Sequence, residues 1–145
     1  MTYLAIRHDA SLNAAVAFAG PSDIEASIQQ RPEMESRVYQ QLIPGEGEER
    51  RRQYRARSAL YWPEALDIPL LLLHGDQDDR VYVSHSQLLA AALAQAGKPH
   101  RLVIYPGGNH TLSTHHEQFM TEALGWFDRY RMPVTLKARV AENIQ

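Results

Sequence analysis

Apolar residues in this chain come in short blocks, and the blocks switch between two periods. The longest, Ile68-Pro69-Leu70-Leu71-Leu72-Leu73, runs unbroken into His74-Gly75 and then a knot of acids. A short apolar run closed by a turn signal reads as a strand buried on both faces of a parallel sheet. Pro69 fits the first strand position, where a missing N–H does least harm. Gly75 reads as a point where the backbone turns sharply out of the sheet. Two further blocks read as strands: Ala14 to Ala19, closed by Gly20-Pro21, and Arg101 to Tyr105, stopped by Pro106-Gly107-Gly108.

Between the strands the period becomes helical. Met1 to Arg7 has the pattern of a helix end. Ser22 or Asp23 can cap a helix from Ile24 to about Gln30. Pro32 and Glu33 suit the first turn of another, through Met34, Val38, Tyr39 and Leu42, broken by Pro44-Gly45. Glu46, Glu48 and Glu49 precede Arg50, Arg51, Arg52, Arg55 and Arg57, the order a helix dipole favours. This charge run reads as a solvated helix, since an anion-binding patch would need interleaved aromatics or glycines. Ser58 to Leu66 reads as irregular. Ser84 or Ser86 can cap a helix from about Gln87 to Gln95, with Leu88, Leu89, Ala92, Leu93 and Ala96 as its apolar face and Gly97 at its end. A last helix, about His115 to Tyr130, shows a wide apolar face of Phe119, Met120, Ala123, Leu124, Phe127 and Tyr130, read as core. Pro133 ends the helical region, and the tail to Gln145 is expected to be loosely held. Strands alternating with helices argue for an α/β fold of about three parallel strands joined by right-handed crossovers.

The totals narrow the functional classes. One domain suits 145 residues. A formal net charge of −2 gives no reason to expect nucleic acid or an anionic membrane as partner. The absence of cysteine excludes disulfides, zinc-thiolate sites and a Cys nucleophile. No apolar run approaches a membrane span, and no secretory signal is visible at Met1 to Ala10, so the expectation is a cytoplasmic protein. No cofactor is expected.

Candidate chemistry sits at two strand ends. One turn holds Asp78, Asp79 and Arg80; the other holds Gly107, Gly108, Asn109 and His110. The carboxyl ends of parallel strands are where open α/β sheets keep their sites. If the two strands are neighbours, Asp78 and His110 can meet within ~2.6–3.2 Å. The carboxylate would then fix the imidazole tautomer and leave the second ring nitrogen as a base. Singly, each residue also has a structural reading, as an Asx-turn acid and a loop histidine. Metal binding by His110, His115 and His116 with Asp78 is a weak alternative, since no two of these histidines have an i, i+4 helical spacing. Tyr61, Trp62 and Tyr82 could line a cleft near the acidic turn or serve as packing residues.

His74-Gly75-Asp76-Gln77-Asp78-Asp79-Arg80-Val81, followed by Gly107-Gly108-Asn109-His110, resembles the C-terminal part of the catalytic domain of prolyl oligopeptidase-family serine peptidases. The resemblance runs from Met1 to about Tyr130. It implies a partial α/β-hydrolase fold over residues 1–131, with 132–145 as a tail, and the chain order Ser…Asp…His. It implies Asp78 as triad acid and His110 as triad base. It also places Arg80 where some members carry an arginine that contacts a bound peptide's carbonyl.

The family nucleophile lies in Gly-x-Ser-x-Gly-Gly before the helix that Met1-Thr2-Tyr3-Leu4-Ala5 resembles, and that motif occurs nowhere in this sequence. None of Ser11, Ser22, Ser27, Ser36, Ser58, Ser84, Ser86 and Ser113 sits in a strand-to-helix elbow with flanking glycines; Ser113 reads as a helix cap. Loss of one triad member costs ~10⁴-fold or more in rate. The expectation is therefore a fold whose N-terminal half and nucleophile elbow are absent and which is inert alone. It would act on a peptide or small ester only when completed by a nucleophile-bearing segment. The Ala14–Ala19 strand would then present an unpaired edge, which predicts self-association. The alternatives are a non-catalytic module that binds itself or a partner, and an esterase-type hydrolase.

Overall fold

The computed structural model describes residues 2–9 and 11–131; the tail expected past Pro133 lies outside the described residues. Strand β2, Leu70–Gly75, is buried at every position and forms the middle of the sheet. It pairs in parallel with β1, Ala15–Phe18, and with β3, His100–Tyr105. The four leucines are explained by the pleat, which sends alternate side chains to opposite faces. Leu70 and Leu72 meet Tyr3, Ile6, Leu89 and Leu93 on one face. Leu71 and Leu73 meet Tyr105, Leu112 and Trp126 on the other. A strand covered on both sides needs an unbroken apolar run, and each such leucine contributes about 1.5–3 kcal/mol of burial. Pro69 lies just before the strand, and its carbonyl accepts Ala15 N–H.

One face of the sheet carries α1, Thr2–His8, and α5, Ser84–Gln95; the other carries α6, His116–Tyr130. Between β1 and β2 lies a helical segment with its own small core of Ile24, Ile43 and Tyr54. It comprises α2, Ile24–Gln30, a wide π turn at Glu35–Tyr39 leading into α3, Gln40–Leu42, and α4, Gly47–Ala56. Asp23 caps α2 as expected, accepting from the N–H groups of Glu25 and Ala26.

Four expectations change. The stretch from Ser58 to Leu66 is not loose: two 3₁₀ turns, Ala59–Tyr61 and Pro63–Ala65, bury Ser58, Ala59, Trp62 and Leu66. Neither Ser84 nor Ser86 caps α5; the cap position is Val83, and the buried stripe is His85, Ser86, Leu89 and Leu93, with Leu88 exposed. On α6, Phe119, Ala123, Trp126 and Tyr130 face the sheet. Met120, Leu124 and Phe127 are 38%, 59% and 46% exposed, because a sheet of three strands offers the helix only one stripe of cover. Finally, Gly75 is still the last residue of β2 rather than the turn itself. Its neighbour is the reason for a glycine: a Cβ there would overlap the carbonyl of Gly108.

Candidate functional site

The close approach of Gly75 and Gly108 brings the turns after β2 and β3 together. Backbone bonds stitch them: Asp76 N–H donates to Tyr105 O (3.2 Å) and Gln77 N–H to Gly108 O (2.9 Å). Gly107 N–H donates in turn to Asp76 Oδ1 (2.7 Å). The second turn then winds around Asn109, whose Oδ1 accepts from Thr111 N–H (3.2 Å) and Ser113 N–H (3.3 Å). Leu112, at φ 48°, is fully buried beneath Gly108. A branched aliphatic residue holds a left-handed φ only where packing over-determines it, so this burial anchors the loop that carries His110.

Asp78 and His110 meet across the stitched turns. His110 Nδ1 lies 2.8 Å from Asp78 Oδ2. The other carboxylate oxygen accepts from Arg80 N–H and Val81 N–H, both at 2.9 Å. Burial alone would raise the Asp78 carboxyl, but the Val81 N–H, His110 and Arg80 N–H outweigh it and hold the group below the ordinary carboxylate range. A carboxylate can only accept, so the proton on the neutral His110 ring is at Nδ1 and the lone pair is at Nε2. The Asp78 side chain is fully buried, while that of His110 is 29% exposed. The pair is thus a fixed anion behind an accessible imidazole, an arrangement that can take a proton from a hydroxyl and hold the resulting imidazolium.

His110 lines a cleft of about 250 Å³ with Arg80, Val81, Ser27, Arg31, Met34 and Tyr39. Arg80 is therefore beside the pair, as the sequence placed it. The opposite wall, from α2 and the π turn, carried no sequence signal, because a tertiary contact brings it there. His85 is part of that contact. It is buried at the start of α5, with Nε2 3.3 Å from Ser27 Oγ and 3.2 Å from Gln30 Oε1. Burial pushes its pKa down, with the nearby Asp23 carboxylate opposing.

Other candidates lie elsewhere. Trp62 is buried in the core and donates Nε1–H to Arg55 O (3.3 Å). Tyr61 donates to Asp23 Oδ2 in a separate polar pocket. Tyr82 is exposed. Ser113 bonds to Asn109 and caps nothing. Among the described residues no serine hydroxyl bonds to His110; those of Ser22, Ser27 and Ser58 donate to the carbonyls of His85, Asp23 and Tyr54. His115 and His116 pack against Tyr105 and Phe119, and no group of three ligating side chains among the described residues could hold a metal ion.

Comparison with known proteins adds a family frame. The sequence model of the prolyl oligopeptidase family matches residues 1–132. An uncharacterised peptidase, YuxL, of Bacillus subtilis is 37% identical over 79 residues, covering 51% of this chain and 12% of the relative. Dipeptidyl peptidase 8 of Homo sapiens is 46% identical over 43 residues, covering 30% of this chain and 5% of the relative. A puromycin-hydrolysing peptidase of Mycobacterium tuberculosis superposes with a TM-score of 0.76 at 24% identity, covering 91% of this chain and 20% of that one. The acylaminoacyl peptidase of Pyrococcus horikoshii gives 0.77 at 23% identity, covering 90% and 22%. The chain thus spans a small fraction of the length of the relatives it matches, and its fold is a partial α/β-hydrolase fold.

Proposed function

The chain belongs to the prolyl oligopeptidase family, and from that premise we propose that it supplies the acid and base of a serine-peptidase site. Asp78 and His110 are the pair, and the 2.8 Å bond between them is the observation that carries the reading. In the proposed reaction His110 Nε2 takes the proton of a serine hydroxyl as the oxygen attacks the peptide carbonyl. Asp78 holds the imidazolium through Nδ1–H, and the proton then passes to the departing amine. Arg80, on the same cleft, is placed to donate to a substrate carbonyl. The substrate class is a short peptide, or an ester of similar size. A nucleophile-bearing segment outside the described residues supplies the serine and the oxyanion donors, and the chain alone is inert.

The test is fluorophosphonate labelling. The purified chain is expected to take up no label. Joined in frame behind a family segment that carries Gly-x-Ser-x-Gly-Gly, it is expected to label at that serine and cleave an aminoacyl anilide. Labelling of a serine within this chain, or a folded fusion with no activity, sinks the proposal.

A second reading rests on the outer side of β1. Ala15 and Ala19 N–H groups bond inward to Pro69 and Leu73 carbonyls, so the alternate residues Val16 and Phe18 direct their N–H groups outward. Phe18 is 38% exposed there. We propose that this edge takes a further strand, from the completing segment or from a second copy. Sedimentation at micromolar concentrations distinguishes a self-associating chain from a monomer.

A further inference from the structure

His74 ends the leucine run, is completely buried, and has no part in the reaction described above. Its surroundings fix one of its ring protons. Nε2 lies 2.7 Å from the carbonyl oxygen of Val81. A carbonyl can only accept, so Nε2 carries a proton. Nδ1 lies 2.7 Å from Ser86 Oγ, itself buried on the first turn of α5. That hydroxyl can donate to a bare Nδ1 and so hold the ring in place. Asp78 Oδ2 is 3.2 Å from the same Nε2, on its proton-bearing side.

We propose that His74 is a positioning residue for the Asp78–His110 pair, with Ser86 holding its ring in place at Nδ1. The inference rests on that pair being the acid and base. Val81 is gripped at both ends of its backbone: its C=O accepts from His74 and its N–H donates to Asp78 Oδ1. Fixing one end of Val81 therefore fixes one of the two N–H groups that orient the carboxylate. The Nε2–H edge of His74 also lies against Oδ2, the oxygen that receives His110 Nδ1–H. An N–H donor at this place favours the ionised carboxylate. The departure of Ser86 from the capping role then has a cause. Its hydroxyl is turned inward to His74, and α5 starts without a side-chain cap.

The test is nitrogen NMR of the histidine rings in the full chain, which needs no nucleophile. Failed hydrolysis by the completed enzyme would leave this result standing, and a negative result here would leave the Asp78–His110 pair standing. The expected spectrum has His74 protonated at Nε2 and bare at Nδ1, with His110 showing the opposite. Bare Nε2 on His74, or an even tautomer mixture, overturns the proposal. Two variants then read the coupling. In Ser86→Ala, His74 keeps its Nε2–H toward Val81 O but loses the partner that holds its ring at Nδ1, and the His110 Nδ1–H should exchange with water roughly tenfold faster, as for the loss of one net hydrogen bond. His74→Gln keeps a donor for Val81 O, and the amide of Val81 should stay protected. Amides in the middle of β2 serve as the folding control. Unchanged His110 Nδ1–H exchange in a folded Ser86→Ala protein contradicts the proposal; if that variant does not fold, the wild-type tautomer decides.

Discussion

The two sides of β2 are built on different terms. Toward β3 the pairing runs for six residues, from Leu70 opposite His100 to Gly75 opposite Tyr105, and the strand ends are locked where Gly75 and Gly108 touch. Toward β1 the pairing covers four residues, and the outer edge of β1 carries no further strand among the described residues. The Asp78–His110 pair sits on the locked side. The far wall of its cleft hangs from the other side, on α2 and the π turn. The contrast teaches that the Asp78–His110 geometry is set by backbone contacts within this chain. The far wall of the cleft depends on elements that lie outside the sheet.

The largest effect should come from breaking the lock. Gly75→Ala forces a methyl group into the Gly108 carbonyl, where backbone has to move. A loss of about 3 kcal/mol or more is expected in urea unfolding, together with loss of the Asp78–His110 bond. A stable variant with that bond intact would remove the distinction between the two sides.

Acid should act on both sides in separable stages. His85, which bonds from α5 to the α2 wall of the cleft, is held below its ordinary pKa of ~6.5 by burial. The unfolded chain therefore takes up its proton first, and stability starts to fall as pH drops below that value. Asp78 is held below its ordinary value of ~3.9 despite burial, because its donors win. Its contribution is complete above that value and is lost as pH falls through the lowered pKa. Urea midpoints against pH should show both limbs, and His85→Gln should remove only the upper one.

A smaller change comes from the α2 cap. Asp23→Ala deletes the acceptor for two amides and should cost about 1 kcal/mol. It should loosen the Ser27 and Arg31 wall while leaving the Asp78–His110 resonances in place. A stability change of similar size is expected at the open edge. Phe18→Lys removes the stacking of Phe18 on Phe119 (5.3 Å) and should cost about 1 kcal/mol, yet abolish self-association in sedimentation, since a charge on an edge strand blocks pairing.

The same contrast decides what could be read from the sequence. The locked side was legible because its signals are local: a leucine run bounded by Gly75, an acid at Asp78, and a Gly-rich turn before His110. Asp23 was legible as a cap for the same reason. The helical wall of the cleft was not, since nothing local links Met34 or Tyr39 to His110, 76 and 71 positions away. Ser86 was misread as a cap because its true partner, His74, lies on another element. The outer stripe of α6 was misread as core because periodicity reports an apolar face without reporting how many strands lie beneath it.

The most direct measurement is the turnover number of the completed enzyme, this chain joined to its nucleophile-bearing segment, with Asp78→Asn compared against the parent on an aminoacyl anilide. The account predicts a fall of ~10³–10⁴-fold with KM little changed, since the acid acts through His110 rather than on the substrate. A turnover number within a few-fold of the parent would contradict it.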